Sequence, residues 1–360
     1  MTFFLPFFEE CHLFILILHS FYLLIMFTTI LLKWFANNGR DLPWRHTRDP
    51  YAIWLSEIIL QQTRIQQGEE YWSRFIRRWP QVEDLAKATE DEVLREWQGL
   101  GYYSRARNLL TAARQVVEQG GFPDSVEGLK QLKGVGDYTA AAIGSMAFGV
   151  PAAVVDGNVF RVLARCFGID TPINTTRGKK LFAQLAQSLL PHDCPSTYNQ
   201  AIMDFGAIQC TPKSPQCLCC PLQENCEAFR TGRVTELPVK ERKLKVRERR
   251  LTYLYLRCKG WTALRRRPAG DIWQGLWEPV NCEQLEKDSP LHQLLSRATL
   301  IRHNVKHVLT HRILLADFYL LETSIRPVLP DEYRWVEEAD IDKYALPRLI
   351  EILIGLLPEN

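Results

Sequence analysis

The chain has 360 residues, of which 46% are hydrophobic and 24% are charged, a composition typical of globular proteins and unlike that of disordered chains. A chain of this length can bury a large core and is expected to hold two or more domains. The formal net charge of +3 is too small to indicate a polyanionic partner by itself.

The N-terminal segment is the first unusual feature. No Lys, Arg, Asp or Glu occurs between Cys11 and Leu32, a length that can span a bilayer. A signal peptide would need a basic start and a small-residue cleavage site, and neither is visible. Because the stretch from Met26 reads as a natural protein start, we interpret residues 1–25 as a non-native or disordered apolar extension, with a membrane anchor as the alternative.

The stretch from Asp49 to about Gly206 has helical periodicity almost throughout. Two of its helices are predicted to end at glycines, one at Gly101 and one at the pair 120–121. No convincing alternating strand pattern interrupts this run. We therefore predict that residues 26–230 form an all-α domain.

A basic segment follows the helical region. Between Thr231 and Arg250 there are eight Lys or Arg and three Glu. We interpret residues 231–250 as an interdomain connector, which is either a solvated tether or a segment that contacts nucleic acid. Residues 251–357 combine strand patterns and glycine turns with helical ends, and they predict a second domain of the α+β class.

A short glycine-containing hairpin lies at Leu132–Ala142, where Gly134 and Gly136 directly precede a predicted helix. Backbone N–H groups at such a helix start can bind an anion, and glycine lets a phosphate approach closely. The same glycines could serve only to turn the chain between two helices.

Two carboxylates have contexts suited to acid–base chemistry. Glu57 lies among apolar residues of a predicted helix, which indicates either an outward-facing side chain or a buried acid with a raised pKa. Asp156 follows an apolar run and precedes a helix, where a carboxylate is most often a simple N-cap. Glycosidic-bond cleavage uses such a pair, one acid donating a proton and the other stabilising a developing cation.

Half of the ten cysteines lie between Cys210 and Cys226, and the others are scattered singly. The scattered residues are typical of reduced thiols in a cytosolic protein, and this compartment and the crowding argue against a disulfide framework. Without Cys219, the spacing is Cys210-x6-Cys217-x2-Cys220-x5-Cys226. Four thiolates can hold zinc or an iron–sulfur cluster, although zinc ribbons favour two C-x2-C pairs and only one is present.

Together these motifs resemble the MutY family of adenine DNA glycosylases, within the helix–hairpin–helix, endonuclease III-like superfamily. The resemblance runs from about Leu42 to Leu276 and more loosely to the C-terminus. It implies an all-α helix–hairpin–helix glycosylase domain with a 4Fe–4S cluster loop at 210–226, followed by an α+β Nudix-like domain at 251–357. The ligands that it implies for the cluster are Cys210, Cys217, Cys220 and Cys226, with Cys219 as a bystander.

The resemblance also assigns site residues. It implies that Glu57 is the catalytic acid and Asp156 the catalytic aspartate, while Asn158 and Tyr138 orient the site. The residues implied in contacts with DNA or with the lesion are Gln61, Gln62, Thr63, Tyr102, Lys133, Gly134, Val135, Gly136, Thr310 and His311. Two departures stand out: Lys133 replaces the usual proline of the hairpin, and the Phe-Ser-His lesion loop is present as Leu-Thr-His at 309–311. His311 could also be a strand-edge histidine without a role in binding.

Two further positions bear on the type of reaction. Tyr138 stands where bifunctional relatives such as endonuclease III carry a Schiff-base lysine, and Phe160 stands where some family members carry another lysine. Because neither side chain can form that adduct, the resemblance predicts a monofunctional glycosylase with little or no lyase activity. The R-E-x-x-E-E core of hydrolytic Nudix enzymes is absent from the sequence, which argues against a nucleotide pyrophosphatase.

The resemblance therefore implies a monomeric, cytoplasmic and nucleoid-associated enzyme that excises adenine mispaired with 8-oxoguanine or guanine in double-stranded DNA. A 4Fe–4S cluster is its expected cofactor, and no obligate membrane partner is expected. Two alternatives stay open. A thymine glycosylase acting on T·G mismatches shares the helical domain, and a non-catalytic, cluster-bearing DNA-binding protein would have no need of both Glu57 and Asp156.

Overall fold

The computed structural model of the protein describes residues 25–241, 247–283, 289–309 and 312–358. The chain divides into two compact units. The first unit joins the residues up to 72 to residues 115–241, and the second joins residues 73–114 to the described residues from 247 onward. Most of the extension predicted at residues 1–25 lies outside the described residues.

The described chain up to residue 230 is helical. Its α-helices are α1 (25–38), α2 (Pro50–Leu60), α3 (Ile65–Arg78), α4 (Val82–Lys87), α5 (Glu90–Glu96), α6 (Ser104–Glu118), α7 (Val126–Leu129), α8 (Asp137–Phe148), α9 (Gly157–Cys166), α10 (Thr176–Leu189), α11 (Pro195–Asp204) and α12 (Glu227–Arg230). A 3-10 helix at Pro43–Arg45 precedes α2, and a π-helix at Phe205–Gln209 follows α11. No strand occurs in the described residues before 247, which confirms the predicted all-α character.

Glycines end two of these helices, one of them earlier than predicted. After α6 the chain turns at Gly120 and Gly121, whose positive φ angles of 84° and 147° favour glycine. The helix predicted to end at Gly101 ends at Glu96, because Gly99, with a φ of 96°, already lies in the turn. Gly101 belongs to the loop before α6.

The core of the first unit is built mainly from α1 and α8–α11. Leu31 of α1 and Phe182 of α10 are fully buried in it. The rings of Trp34 and Phe205 meet edge to face with centroids 4.9 Å apart. The end of the apolar N-terminal run thus packs on this core, and within the described ranges no helix combines the length and apolarity needed to cross a bilayer.

The described part of the basic connector packs against the first unit. Leu237 is buried in the core. The side-chain amide of Asn174 exchanges two hydrogen bonds, each 2.9 Å long, with the backbone of Glu241. A solvated tether therefore does not describe residues 231–241.

The second unit contains two sheets. Its strands are β1 (Arg247–Arg257), β2 (Trp261–Arg266), β3 (Trp277–Glu278), β4 (Val280–Asn281), β5 (Thr299–Val308), β6 (Arg312–Glu322) and β7 (Tyr333–Glu337). One sheet has the order β4-β1-β6-β5, with β1 and β6 parallel, and the other has the antiparallel order β3-β2-β7. Two helices, α13 (Pro290–Ser296) and α14 (Arg348–Ile354), complete the predicted α+β domain.

Residues 73–114 contact these sheets within the second unit. Arg266 of β2 forms ion pairs with Glu90 at 3.1 Å and with Asp91 at 3.0 Å. Gln98 donates a hydrogen bond to Glu351 of α14. Helix α5 and the turn that follows it are therefore joined to the strand-rich part of the chain by polar side chains.

Candidate active site

A cavity of about 640 Å³ lies in the first unit. The loop before α2, the C-terminal end of α2, and parts of α8, α9 and α11 form its walls. The predicted site residues that line it are Glu57, Gln61, Gln62, Thr63, Tyr138, Asp156 and Asn158. Residues that are distant in the sequence are thus brought to one place.

Glu57 is a buried acid in this cavity. Helix α2 is buried on all sides from residue 51 to residue 59, and Glu57 is only 7% exposed. Burial raises its pKa from 4.5 to about 7, although a hydrogen bond from Tyr138 and the charge of Arg45 act in the opposite direction. The nearby charge of Asp156 adds to the rise. The burial of Glu57 agrees with the interpretation of a buried acid, and with a pKa of about 7 the side chain can hold a proton near neutral pH that it can donate.

Asp156 is both an N-cap and a wall of the cavity. Its Oδ1 accepts hydrogen bonds from the amides of Asn158 and Val159, each 2.8 Å long, and so begins α9. Its Oδ2 accepts a third, also of 2.8 Å, from Asn158 Nδ2. Burial raises the pKa of Asp156, and the three hydrogen bonds oppose that rise because they stabilise the carboxylate.

Tyr138 connects the acid to neighbouring helices. It lies in the first turn of α8, is hydrogen-bonded to Glu57, and its hydroxyl is 3.4 Å from Met203 Sδ. Burial, and then the charges of Glu57 and Asp156, raise its pKa well above the usual value. Tyr138 is therefore a neutral hydroxyl that can donate a hydrogen bond to ionised Glu57.

Sequence reasoning missed one wall of the cavity. It is formed by residues before α2 and on α11, among them Arg40, Trp44, Arg45, Gln200 and Met203. A signal was available, since the segment R-D-L-P-W-R at 40–45 concentrates two arginines and a tryptophan just before the helix that carries the acid.

The hairpin before α8 presents an exposed backbone. Gly134 has a φ of 83°, which favours glycine, and Gly136 is the N-cap residue of α8. A Cβ added at Gly136 would meet no atom within 4 Å, so the backbone there is open to a ligand. Lys133 is exposed as well, whereas the side chain of Val135 is buried and leaves only its backbone available.

The other predicted DNA-contacting residues have different positions. Gln61 donates a 3.3 Å hydrogen bond to Thr139 Oγ1 of α8, and Gln62 has a positive φ of 58° in the turn after α2. Tyr102 belongs to the second unit, where it is 47% exposed at a φ of 47°. The predicted Thr310 and His311 lie outside the described residues.

The four predicted cluster ligands converge on one small cavity. Cys210, Cys217, Cys220 and Cys226 line it together with the buried Cys166, and exposed Cys219 is not among its lining residues. Among the described residues, no three His, Cys, Asp or Glu side chains form a ready site for a single metal ion. Four thiols on one cavity are a donor set that can hold zinc or an iron–sulfur cluster.

Arginines of α9 connect this cysteine loop to the cavity that contains Glu57. Arg165 donates a 3.3 Å hydrogen bond to Cys210 Sγ and a 2.8 Å bond to the carbonyl of Thr211. Arg161 donates to the carbonyl of Cys210 at 2.7 Å and to Asn158 Oδ1 at 2.9 Å. A guanidinium beside the thiols suits an anionic cluster, because it balances thiolate charge.

Comparison with known proteins gives two family matches. A model described as "HhH-GPD superfamily base excision DNA repair protein" matches residues 55–189, and a model described as "NUDIX domain" matches residues 252–356. The first match contains Glu57, Tyr138 and Asp156, and the second covers nearly all of the strand-rich region.

Individual proteins are also similar. The adenine DNA glycosylase of Mus musculus is 43% identical over 226 residues, which cover 59% of this chain and 44% of that protein. The adenine DNA glycosylase of Buchnera aphidicola subsp. Baizongia pistaciae is 34% identical over 257 residues, which cover 70% of this chain and 73% of that protein. The chain spans less than half the length of the mouse, rat, human and Arabidopsis relatives that it matches.

Among solved structures, a thermostable thymine-DNA glycosylase is 34% identical with a TM-score of 0.54. The match covers 57% of this chain and 95% of that chain. At 34% identity, this enzyme is similar to the chain in sequence as well as in fold. The base named for that enzyme is thymine.

Proposed function

This chain belongs to the adenine DNA glycosylase family, and from that premise we propose that it excises adenine mispaired with 8-oxoguanine or guanine in double-stranded DNA, a step of base excision repair. The observation that carries the proposal is the presence of Glu57, with its pKa near 7, and Asp156 in one cavity of about 640 Å³. Ligand cavities of this size accommodate a base that has rotated out of the helix.

Glu57 is the proposed proton donor. An adenine anion is a poor leaving group, so the base needs a proton at N7 before the glycosidic bond can break. A carboxyl group with a pKa of about 7 is well matched to this transfer, because it is substantially protonated near neutral pH and is still acidic enough to react. The hydroxyl of Tyr138 can stabilise the carboxylate that remains.

Asp156 is the proposed stabiliser of the sugar. As the bond to adenine lengthens, positive charge develops on the deoxyribose, and a fixed carboxylate lowers the energy of that oxocarbenium-like state. The hydrogen bonds from Asn158 and from the amide of Val159 hold the carboxylate in place. Water then adds to the sugar and leaves an abasic site.

We propose that the reaction stops at the abasic site. Strand cleavage by bifunctional glycosylases needs an amine that forms a Schiff base with the sugar. Tyr138 in the first turn of α8 has no amine, and Phe160 packs edge to face on Phe182 with ring centroids 5.2 Å apart. Lyase activity should therefore be weak or undetectable.

The proposed cofactor is a 4Fe–4S cluster held by Cys210, Cys217, Cys220 and Cys226. When bound, the cluster would supply a rigid cross-link between the two ends of the 210–226 loop. Residues of the chain already position this loop, since Arg165 donates hydrogen bonds to Cys210 Sγ and to the carbonyl of Thr211. We assign the cluster a structural role in the reaction, and no electron transfer is required.

The proposed partner is duplex DNA, bound by a monomer associated with the nucleoid in the cytoplasm. The exposed backbone at Gly134 and Gly136 is suited to a phosphate at the start of α8. Lys133 adds a positive charge to this hairpin. Gln61, Gln62 and Thr63 are proposed to contact the DNA around the lesion, while Tyr102 and the loop at 309–311 are proposed to contact the lesion itself.

A thymine glycosylase that acts on T·G mismatches is the second candidate. The 34% identity to a thymine-DNA glycosylase supports it, and Tyr138 is compatible with it. That match covers 57% of the chain, whereas the alignment with the Buchnera adenine glycosylase covers 70%. The longer alignment with adenine enzymes and the additional strand-rich unit favour adenine as the substrate.

The function is tested by single-turnover reactions on three duplexes that differ only in the mispair, A·8-oxoguanine, A·guanine and T·guanine. We expect release of adenine from the first two and no release of thymine from the third. Strand breaks should require mild alkali, and borohydride should trap no covalent adduct with the wild-type protein. Release of thymine alone would support the second candidate, and breaks without alkali would contradict the proposed monofunctional reaction.

The cluster is tested by a matched pair of cysteine substitutions. We expect Cys210→Ser to lose iron, sulfide and the broad visible absorbance of the cluster, because a ligand is missing. Cys219→Ser should retain all three, since Cys219 is exposed and does not line the cavity of the four proposed ligands. Equal cluster loss in both variants would contradict the assigned ligand set, and so would full retention in Cys210→Ser.

A further inference from the structure

Asp204 is a buried carboxylate that has no direct part in the reaction just described. It is the last residue of α11, and its side chain is 0% exposed. Its oxygens accept hydrogen bonds from the amide and Nε of Arg40, each 2.9 Å long, and from both terminal nitrogens of Arg45, each 2.8 Å long. Arg40 Nη2 donates a further one.

The two arginines held in this way line the catalytic cavity together with Glu57 and Asp156. Arg45 also donates a 2.8 Å hydrogen bond to the carbonyl of Arg40, so the two residues form one cross-linked loop. That loop is joined through Asp204 to α11. Removing the carboxylate would release both guanidinium groups from their common acceptor.

The carboxylate of Asp204 also changes the net charge of the wall that Arg40 and Arg45 form. Two guanidinium groups and one carboxylate leave a net charge of +1, whereas the same wall without the carboxylate would carry +2. Additional positive charge near the site opposes the reaction twice. It favours the ionised form of Glu57, which has then lost its proton, and it repels the cation that develops on the sugar.

We propose that Asp204 is a positioning residue, which fixes Arg40 and Arg45 as one wall of the cavity and offsets half of their charge. The expected effect on the rate of adenine release rests on the proposed function. The expected shift in the titration of Glu57 does not depend on that function. The groups that act on Glu57 are Tyr138 of α8, Asp156 before α9 and Arg45 of the 3-10 helix. Of these, Arg45 is the one that Asp204 holds.

The experiment compares Asp204→Asn with the wild-type protein in two measurements. The titration of Glu57 is followed by carboxyl NMR of protein labelled at glutamate, with Glu57→Gln to assign the signal, and it needs no substrate. Adenine release is followed in single turnover from about pH 5 to 9. We expect the Glu57 midpoint and the alkaline limb of the rate to fall together by roughly half a pH unit or more, and the rate at neutral pH to fall roughly tenfold.

A merely structural role is separated by a matched control. Asn199 is also fully buried on α11, where it donates to Ser145 Oγ at 2.9 Å and does not line the cavity. Asn199→Ser should lower the melting temperature and leave the Glu57 midpoint unchanged. Asp204→Glu, which keeps the charge, should restore the midpoint. In an Arg45→Met background, Asp204→Asn should still shift the midpoint, because the charge of the carboxylate is lost, but it should slow adenine release much less than in the wild-type background.

Several results would overturn the proposal. One is a folded Asp204→Asn protein with an unchanged midpoint, and another is a loss of rate that persists in full without Arg45. If Asp204→Asn does not fold, Arg45→Lys tests the same contact, because lysine keeps the charge and loses the paired hydrogen bonds. An unchanged rate of adenine release in that variant is then the contrary outcome. A wild-type protein that releases no adenine would refute the proposed function, while the titration would still decide the role of Asp204.

Discussion

Replacing Glu57 by glutamine is expected to abolish adenine release and, at the same time, to stabilise the folded protein at alkaline pH. Glutamine cannot donate the proton that the leaving base requires, so the rate should fall by roughly a thousandfold or more. The amide has nearly the same size and can still accept a hydrogen bond from Tyr138. Binding to the mispaired duplex should therefore be retained.

The gain in stability follows from the pKa of Glu57. Its pKa is about 7 in the folded protein, whereas the ordinary value of 4.5 applies to the unfolded chain. The folded state therefore holds this proton more tightly than the unfolded state does. The stability contributed by the protonated acid is fully present below pH 4.5 and is lost as the pH rises through about 7. At pH 8 the buried carboxylate should cost roughly 3 kcal/mol of folding free energy, and glutamine avoids that cost.

Denaturant unfolding at several pH values measures this effect. Wild type and Glu57→Gln should have similar free energies of unfolding near pH 4, and the variant should be more stable at pH 8. The duplex-binding assay serves as the control for an intact site. Adenine release within tenfold of the wild-type rate would refute the role of Glu57 as the acid, and a pH-independent difference in stability would refute its raised pKa.

The second large effect is expected for Asp156→Asn, which should slow adenine release by roughly a hundredfold to a thousandfold. Asparagine can still cap α9, because its side-chain oxygen accepts hydrogen bonds from the same amides. It cannot supply the negative charge that opposes the developing cation. The fold should persist while the chemistry fails.

Asp49 offers the matched control for this change. It caps α2 in the same manner, accepting hydrogen bonds of 3.0 and 3.3 Å from the amides of Tyr51 and Ala52, and it does not line the cavity. Asp49→Asn should therefore leave the single-turnover rate within a few-fold of wild type. If the two variants were equally slow, the loss would belong to helix capping and not to charge at the sugar.

The features that could be predicted from the sequence have local signals. The apolar surroundings of Glu57 indicate either an outward-facing side chain or a buried acid, and the burial of residues 51–59 supports the second alternative. The position of Asp156 before a helix indicates an N-cap, and the structure adds that this N-cap also lines a cavity. The family resemblance implied four thiol ligands and excluded Cys219, which agrees with the lining of their common cavity.

Features that depend on long-range contacts carry at most a partial signal. The segment at 40–45 marks two arginines, but it does not indicate the residue that fixes them. The wall made by Arg40 and Arg45 exists because Asp204, some 160 residues later, accepts their hydrogen bonds. Strands β1 and β6 pair in parallel across a similarly unmarked separation. The grouping of residues 73–114 with the strand-rich unit depends on ion pairs such as Arg266–Glu90, which no periodicity anticipates.

The discontinuity of the first unit has a consequence for synthesis on the ribosome. Helix α2 packs against α8, and the core around α8–α11 is completed by Leu237. At roughly 5–20 residues per second, about 5 to 20 seconds separate the synthesis of the segment around Glu57 from that of the segment around Asp156. During that interval a helix that is buried on all sides in the finished protein lacks part of its packing, because α8 and the later helices are not yet in place. We expect the nascent chain to depend on chaperones then, and partial translation products to aggregate more readily than the finished protein.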